Sequence, residues 1–528
     1  MGAGPVGLAL AIDLGSRAIA CTVVEQHDRV GLNPRAKLTN VRSKELLRRW
    51  GVSEKLRRAS PLSPDHPSDI VFATRMNGYT LARFENAFHC ASTPSDLYSE
   101  PGQWVPQYTL EEVLREHAAG LAGVDIRFES RLVALAQDRE GVSADFEDVR
   151  TGARSTLRAS YLVGADGARS TVRSLLDIGM EGDGALAPNL NLIFRAPALA
   201  RMHDKGPAVM YWMVNRDLPA YLGPLDRKGL WFLIAPRLPD GVDPGSLDGR
   251  EVVRRSSGLN CDVEIVRADP WTAHRLIAER YSTGRVFLAG DACHLHPPSG
   301  GHGMNTGIAD AADLGWKLAA TLQGWGGRRL LETYEIERKP LHQRVIREAV
   351  ENYELVGDRL ARDGIEQPGP EGDRVREQVG KLILKGKLHE FRSLGVVLGG
   401  CYRDSPAIVA DGTQPPREQV AEYEPSACPG CLAPHFWMHD GTSLYDHFGA
   451  GFTLLAGQEA PPEEIGRLER AAAHRGMPLK VVSPAESKFA ALYQAGFALV
   501  RPDQHVAWRG DRLPQDCLDL IDRVRGGP

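Results

Sequence analysis

Residues 1–15 read MGAGPVGLALAIDLG, in which Gly2, Gly4 and Gly7 form a GxGxxG pattern. These glycines permit a tight turn that brings the start of a helix close to a nucleotide pyrophosphate. The next apolar strand, in AIACTVVEQHD, ends at Glu25, where a carboxylate can accept hydrogen bonds from both hydroxyls of an adenosine ribose. A glycine-rich helix start with a surface glutamate is the alternative, but the position of Glu25 favours a dinucleotide-binding turn.

A second glycine-containing turn occurs in YLVGADGARSTVR, residues 161–173. Gly164 and Gly167 flank Asp166 where a short strand ends, and Arg169 and Arg173 follow. Such a turn presents backbone N–H groups and a carboxylate to a phosphate or a ribitol chain. Taken alone, it is also consistent with any tight turn capped by an aspartate.

The third turn lies in GRVFLAGDACHLHPPSGGHGMNTG, residues 284–307. RVFLAGD predicts a buried strand that ends at Gly290 and Asp291, and this carboxylate suits the hydroxyl of a sugar alcohol. The loop PPSGGHGMNTG leads into a helix whose first turn we expect to contain Asp310. The N–H groups at the start of this helix would attract a ring that becomes anionic on reduction.

In this order and spacing, the three turns resemble those of the class A flavin-dependent aromatic hydroxylases, the para-hydroxybenzoate hydroxylase superfamily. PRAKLTNVRSKELLRRWG, residues 34–51, and the C-terminal third resemble its phenol and dichlorophenol hydroxylase branch. The resemblance implies an FAD-dependent monooxygenase that hydroxylates a phenolic or related aromatic ring with NAD(P)H and O2 through a flavin hydroperoxide. Two alternatives stay open: epoxidation or Baeyer–Villiger oxidation in natural-product tailoring, and a flavin-binding protein without oxygenase activity.

The resemblance also implies which residues contact FAD. Pyrophosphate and ribose contacts would come from Gly2, Gly4, Gly7 and Glu25, and ribitol or phosphate contacts from Arg42, Gln107, Asp166, Gly290 and Asp291. The pyrimidine edge of the flavin would lie against Gly303, Met304 and Asn305. No second GxGxxG is evident for NAD(P)H, which fits relatives in which the nicotinamide approaches through a surface groove.

The segment before the first glycine departs from the family pattern. Relatives carry an apolar strand there, in the middle of a doubly wound sheet and buried on both faces, whereas only Met1 precedes Gly2 here. We therefore expect the natural start to lie upstream of Met1. A chain that begins at Met1 is expected to bind FAD weakly and to aggregate.

The resemblance and the order of elements predict an α/β protein with a doubly wound, Rossmann-type FAD-binding domain, a β-rich substrate domain and a thioredoxin-like C-terminal domain. We expect the FAD-binding domain at residues 1–179 and 276–345, with its first strand missing and part of 70–105 joining the substrate domain. The β-sheet substrate domain spans 180–275, where strand-forming segments are broken by Pro, Gly and Asp. A helical linker follows at 346–400, and the thioredoxin-like domain at 401–528.

Composition narrows the classes of partner. The formal net charge of −5 over 528 residues provides no basic surface for nucleic acid, and no apolar run approaches the length of a membrane span. The eight cysteines are scattered along the chain, which argues against a disulfide framework and for a cytoplasmic protein. The expected partners are a small aromatic substrate and O2, and the resemblance of the C-terminal third suggests a homodimer.

Cys428 and Cys431 form a CxxC pattern in ACPGCLAPHFW, which invites a redox or zinc interpretation. A reactive thioredoxin pair would follow the strand GFTLLAG at a helix start, where QEAPPEE contains no cysteine. A structural zinc ion needs two further ligands, and His435 is the only obvious neighbour. We therefore interpret the CxxC pair as redox-silent.

The substrate pocket is the part that the sequence determines least. Candidate pocket residues are Tyr211, Trp212, Trp231 and Phe232, from the segment that forms the pocket roof in relatives, and His294, Pro297 and Pro298, from the flavin loop. Aromatic strand residues more often belong to a core. His294, His296 and His302 are poorly spaced for a metal, so none is expected, and no residue is recognisable as the catalytic base.

Overall fold

The computed structural model describes residues 1–28, 35–63, 65–239, 241–354 and 360–527. Within these ranges the strands are β1 (Cys21–Val24), β2 (Leu38–Thr39), β3 (Ile70–Ala73), β4 (Thr80–Phe84), β5 (Gln103–Trp104), β6 (Val124–Arg127), β7 (Ser130–Gln137), β8 (Val142–Asp148), β9 (Arg154–Ala159), β10 (Leu162–Gly164), β11 (Met180–Arg195), β12 (Met210–Met213), β13 (Ala220–Pro224), β14 (Leu230–Ala235), β15 (Glu264–Ala278), β16 (Ser282–Thr283), β17 (Val286–Leu288), β18 (His294–Leu295), β19 (Phe452–Ala456), β20 (Leu479–Val482), β21 (Phe497–Val500) and β22 (Val506–Gly510).

The α-helices are α1 (Pro5–Ser16), α2 (Val41–Arg49), α3 (Ser53–Ala59), α4 (Gln107–Ala119), α5 (Thr171–Leu175), α6 (Gly249–Ser257), α7 (Gly303–Leu322), α8 (Thr333–Glu354), α9 (Pro370–Gly386), α10 (Leu388–Phe391), α11 (Leu394–Leu398), α12 (Pro462–His474), α13 (Ser487–Tyr493) and α14 (Cys517–Val524). In the part of the chain that the structure describes, none of the helices has both the length and the apolar character needed to cross a bilayer.

The first glycine turn lies between two halves of a parallel sheet. β1 pairs with β6 in one half, and β10 pairs with β17 in the other. The amino group of Met1 donates to Val163 O at 2.7 Å, and Ala165 N–H donates to Met1 O at 2.8 Å. Gly2 N–H donates to Val24 O at 2.8 Å. The backbone of Met1 and Gly2 therefore connects the two halves, in the place where the family pattern has a strand.

An eight-stranded sheet forms the substrate domain, in the order β18-β15-β11-β14-β13-β12-β3-β4. β3 and β4 come from the 70–105 segment and extend the sheet beyond the strands of 180–275. The expected domain boundary at residue 345 falls inside α8, which runs without interruption from Thr333 to Glu354. Residues 355–359 of the predicted helical linker lie outside the described residues.

The C-terminal domain has the order of elements predicted for a thioredoxin-like fold. Its four strands lie in the order β20-β19-β21-β22, with β19 parallel to β20 and antiparallel to β21. α12 connects β19 to β20, and α14 packs against α12. The segment Gly457–Pro461, between β19 and α12, contains no cysteine. The segment in which a thioredoxin would carry its reactive cysteine pair thus contains no thiol.

A buried cluster of charges joins this domain to the FAD-binding domain. The guanidinium of Arg501 donates to both carboxylate oxygens of Glu337 at 2.7 Å, and also to Asp503 at 2.7 Å and Asp313 at 3.1 Å. Lys317 Nζ donates to Asp313 at 2.7 Å and Glu337 at 2.5 Å. Burial raises the pKa of Asp313 well above its usual value, and the carboxylate of Glu337 adds to the effect. The cluster therefore places three acids, Asp313, Glu337 and Asp503, against two cations, Arg501 and Lys317.

Replacing Arg501 with methionine should destabilise the whole protein, because Asp503 would stay buried without its guanidinium partner, and Glu337 would keep Lys317 but lose two hydrogen bonds. We expect the free energy of unfolding, measured with urea, to fall by about 3–5 kcal/mol. Arg512→Met is the matched control, since Arg512 pairs with Glu464 through a side chain that is 78% exposed and should change stability by less than about 1 kcal/mol. Equal, small changes in both variants would contradict a structural role for the buried cluster.

Candidate cofactor and substrate site

The three glycine-containing turns meet at one point of the FAD-binding domain. Gly2 has a φ of +94°, and a Cβ added there would lie 2.4 Å from Ala165 O of the second turn. A Cβ at Gly7 would lie 1.9 Å from Gly2 O, and one at Gly307 would lie 3.1 Å from the Cα of Gly290. Only residues without a side chain permit these approaches. The glycines of the motifs thus serve to bring the turns together.

Two of the predicted carboxylates already accept hydrogen bonds from the protein itself. Glu25 accepts from Ala3 N–H at 2.9 Å, which places it beside the first glycine turn, and from His27 N–H at 3.0 Å. Asp166 accepts from the hydroxyl of Ser170 at 2.6 Å and from Val172 N–H at 3.1 Å. Asp166 therefore stabilises the first turn of α5. This is the role of a capping aspartate in a tight turn, the alternative that the sequence left open.

Other features of the site fit a cofactor that carries phosphates and a polyol. A Cβ at Gly4 would meet no atom within 4 Å, so space is open beside the N-terminus of α1, which no side chain caps. The N-terminus of α7 is also uncapped by any side chain. Asp291 accepts no hydrogen bond from the described residues, and burial raises its pKa. Uncapped helix N-termini attract phosphate or other anions. A carboxylate that accepts no hydrogen bond from the described protein residues, such as Asp291, can accept hydrogen bonds from the hydroxyls of a polyol.

Asn305 belongs to the segment expected to face the flavin, but its side chain forms hydrogen bonds within the protein. The amide oxygen accepts from Asn40 N–H at 2.9 Å, and the amide nitrogen donates to Leu38 O at 2.9 Å and Gly301 O at 2.7 Å. These bonds tie the flavin loop to β2 and to the start of α2. The backbone N–H groups at the start of α7, not this amide, are what the site offers to a ligand.

Arg42 lines a cavity with His302 and Asn305 of the flavin loop, but its guanidinium is bound by the C-terminal domain, which differs from the expectation that it holds ribitol and phosphates. Its guanidinium donates to Gln504 Oε1 at 2.5 Å and to Asp503 O at 2.7 Å. The physical reason is the position of α2, because the face of this helix that carries Arg42 lies against the C-terminal domain. Gln107 does lie near the expected cofactor path, where its Oε1 accepts from Ala36 N–H at 3.0 Å.

His294 is also placed differently from the expectation that it lines the substrate pocket. Its Nε2 lies 2.9 Å from Asp310 Oδ2 in a fully buried cluster, where Gly290 N–H, Arg338 and His342 also contact Asp310. Asp310 is the eighth residue of α7 and not part of its first turn. Burial would raise the pKa of Asp310, but His342 and Arg338 hold it well below its usual value. This carboxylate positions the turn that carries Asp291.

Alternation along the strands sorts the predicted pocket aromatics onto two faces. The ring of Trp212 stacks on Phe72 and Tyr221, with centroids 5.1 and 4.6 Å apart, on the sheet face that also carries Phe232. Tyr211 and Trp231 lie on the opposite face, in a closed core that includes residues of α6. The expectation that Tyr211 and Trp231 line the pocket is therefore corrected, because neighbouring strand residues point in opposite directions.

A small cavity lies where this aromatic face meets the flavin loop. Its lining includes Gly300 of that loop, Phe88, His89 and Leu394. Pro297 and Pro298 are the first residues of the loop, and Pro297 O accepts a hydrogen bond from His296 Nδ1 at 2.8 Å. Burial lowers the pKa of His296 to about 3, so this histidine is neutral at physiological pH.

Lys37 is a functional candidate that the sequence analysis missed. It is 8% exposed, and its ammonium nitrogen lies 4.5 Å from the centroid of the Phe232 ring. Burial lowers the pKa of Lys37 to about 7, the range of a group that can gain or lose a proton near neutrality. Lys37 precedes the two-residue strand β2, so no periodic pattern marked it as buried.

Comparisons with known proteins agree with this geometry. A family model described as FAD binding domain matches residues 1–349, and one described as aromatic-ring hydroxylase, C-terminal, matches residues 426–528. The chain belongs to the flavin-dependent aromatic hydroxylases. This hydroxylase is 34% identical to tetracenomycin B2 monooxygenase-dioxygenase of Streptomyces olivaceus, over 99% of this chain and 97% of the relative. It is 32% identical to 4-methyl-5-nitrocatechol 5-monooxygenase of a Burkholderia species, over 99% and 96%.

Solved structures extend the likeness to the fold. The hydroxylase superposes on the rebeccamycin biosynthetic enzyme RebC with reduced flavin at a TM-score of 0.91 and 38% identity, covering 100% of this chain and 98% of that one. A complex of aklavinone-11 hydroxylase with FAD and aklavinone gives a TM-score of 0.85 at 31% identity, over 99% and 97%. The predicted family, fold class, monooxygenase activity and FAD cofactor are confirmed.

Proposed function

We propose that this hydroxylase uses NAD(P)H and O2 to hydroxylate a phenolic or related aromatic ring bound between the flavin loop and the sheet face that carries Phe232. The observation that carries the proposal is the cavity between the flavin loop and Phe88, which belongs to the same apolar cluster as Phe232. An aromatic face offers stacking partners to an aromatic ring. The tightly packed sheet beneath it keeps water away from that side of the ring.

The residues proposed to hold FAD are those that surround the open space of the site. The pyrophosphate would lie against Gly2, Gly4 and Gly7, the adenosine ribose would face Glu25, and the ribitol chain would face Asp291. When bound, FAD would supply the oxidation and reduction chemistry that links NAD(P)H and O2 to the aromatic ring. Backbone N–H groups of Gly303, Met304 and Asn305 would face the pyrimidine edge, where the positive end of α7 favours negative charge.

Lys37 is proposed to accept the proton of the substrate hydroxyl. A pKa of about 7 leaves a substantial fraction of the amine neutral at physiological pH, so it can take a proton from a phenol. Loss of that proton makes the ring more electron-rich and more reactive towards an electrophilic oxygen. Lys37 lies on the sheet face proposed for the substrate, above Phe232.

A homodimer formed through the C-terminal domain and a cytoplasmic location stay predictions from the sequence. The choice between NADPH and NADH is left to experiment, because no residue of the site separates the two.

The activity is tested by incubating the FAD-loaded enzyme with NADPH or NADH and a panel of phenols that ranges from single rings to polycyclic compounds. We expect one class of phenol to accelerate NAD(P)H oxidation by about 10-fold or more and to give a product heavier by one oxygen atom, labelled when 18O2 is supplied. Oxygen inserted beside a ketone, or FAD binding without any stimulated turnover, would contradict aromatic hydroxylation.

A further inference from the structure

Two thiols are in contact where the linker meets the C-terminal domain. Cys401 follows α11 and lies opposite Cys431 in an isolated antiparallel bridge. The Cys431 S–H donates to Cys401 Sγ, with the two sulfurs 2.8 Å apart. This pair differs from the CxxC pair of the sequence, because the Cys428 thiol points to Thr413 O, 3.7 Å away. The thiol partner of Cys431 is therefore Cys401, which lies outside the CxxC pattern.

The backbone around the two cysteines suits a disulfide. Tyr402 N–H donates to Gly430 O at 2.9 Å, which makes Cys401 and Cys431 a non-hydrogen-bonded pair of the bridge. Residues in such a pair have Cα atoms about 4.5 Å apart, and disulfides span Cα distances of about 4.4–6.8 Å. The two sulfurs can thus be joined without a large movement of the chain.

The two thiols also differ in character. Cys401 is half-buried, whereas Cys431 is buried. The hydrogen bond that Cys401 receives from Cys431 lowers the pKa of the Cys401 thiol, and the nearby cation of Arg403 acts in the same direction. An accessible thiolate next to a second thiol is the arrangement of redox-sensing cysteines.

We propose that Cys401 and Cys431 are a redox-active dithiol, which a hydroperoxide converts into a disulfide that joins the chain just after α11 to the segment before β19. The Cys401 thiolate attacks one peroxide oxygen, the O–O bond breaks, and hydroxide leaves as Cys401 becomes a sulfenic acid. The sulfur of Cys431 then attacks the Cys401 sulfur, the S–O bond breaks, and the departing hydroxide takes the Cys431 proton. In total, two thiols and one hydrogen peroxide give one disulfide and two waters. The oxidant is supplied from outside, so the inference does not rest on the proposed function.

The test treats the full-length, FAD-loaded protein with a small excess of hydrogen peroxide and counts thiols after denaturation with an alkylating agent. The protein has eight cysteines, all of them free thiols, and we expect two of them to be lost on oxidation and recovered with dithiothreitol. Oxidation should also raise the midpoint of thermal unfolding by several degrees, because the disulfide closes a loop between residues 30 positions apart.

Three serine variants assign the bond, since trypsin leaves Cys428 and Cys431 on one peptide. Cys428→Ser should still lose two thiols, whereas Cys401→Ser and Cys431→Ser should form no disulfide. In Cys431→Ser, the sulfenic acid on Cys401 should be trapped by dimedone. A disulfide that persists in Cys401→Ser, or a wild-type protein that keeps all its thiols under these conditions, would overturn the assignment.

Discussion

Replacing Gly4 with leucine should abolish FAD binding while the protein still folds. Gly4 has a φ of −75° and a ψ of −178°, an extended conformation that any residue adopts, and a Cβ there would meet no atom within 4 Å. The leucine side chain would instead fill the space that we assign to the pyrophosphate at the start of α1. We expect FAD affinity, measured by fluorescence titration, to fall by about 100-fold or more, which corresponds to about 2.7 kcal/mol.

Gly184→Leu is the matched control for this variant. Gly184 lies in β11 and, like Gly4, has open space where a Cβ would be, but it belongs to none of the three turns. Both variants should show the far-UV circular dichroism of the parent protein, and only Gly4→Leu should purify without the yellow colour of flavin. A Gly4→Leu protein that binds FAD normally would show that the pyrophosphate does not lie at this turn.

The local part of this site could be predicted from the sequence because its residues act through their own backbone. A glycine turn, a carboxylate at the end of a strand and the start of a helix are each encoded within a few residues. The structure accordingly brings Gly2, Gly7, Gly290 and Gly307 together. The hydrogen-bond donors to each carboxylate are less predictable, since Asp166 accepts from Ser170 of its own turn whereas Glu25 accepts from Ala3 of the first glycine turn.

The long-range part could not be predicted, because it depends on which surface packs against which. Arg42 faces the C-terminal domain, more than 400 residues away in sequence, and no local pattern carries that information. The choice between Tyr211 and Trp212 depends on which face of the sheet looks towards the flavin loop. Alternation predicts that the two residues separate, but not which of them faces the site.

The C-terminal domain is joined to the element that faces the cofactor, as well as to the linker. α7 begins at the flavin loop and carries Asp313 and Lys317, which belong to the same buried cluster as Arg501. A domain that contains no reactive thioredoxin pair therefore still influences the site, because it holds α7 in place.

Replacing Lys37 with methionine should remove the pH dependence of hydroxylation. In the parent enzyme, kcat/KM should rise as the pH increases through about 7, because the Lys37 ammonium then loses its proton and becomes able to accept one. In Lys37→Met this rise should disappear, and hydroxylation should fall by about 10²–10⁴-fold. NAD(P)H oxidation should continue without matching product, since methionine keeps the apolar bulk of the side chain and leaves the FAD turns untouched.

Two further variants separate proton transfer from charge and from burial. Lys37→Arg keeps a cation that does not lose its proton, so it should be as poor a hydroxylase as Lys37→Met. Lys44→Met is the matched control, because burial lowers the pKa of Lys44 as well, to about 8, while its amine donates to Ser53 O and Gln103 Oε1. Lys44→Met should lose stability but keep the pH profile of the parent. If Lys37→Arg retains full hydroxylation, the amine contributes only its positive charge, and the substrate must lose its proton to another group.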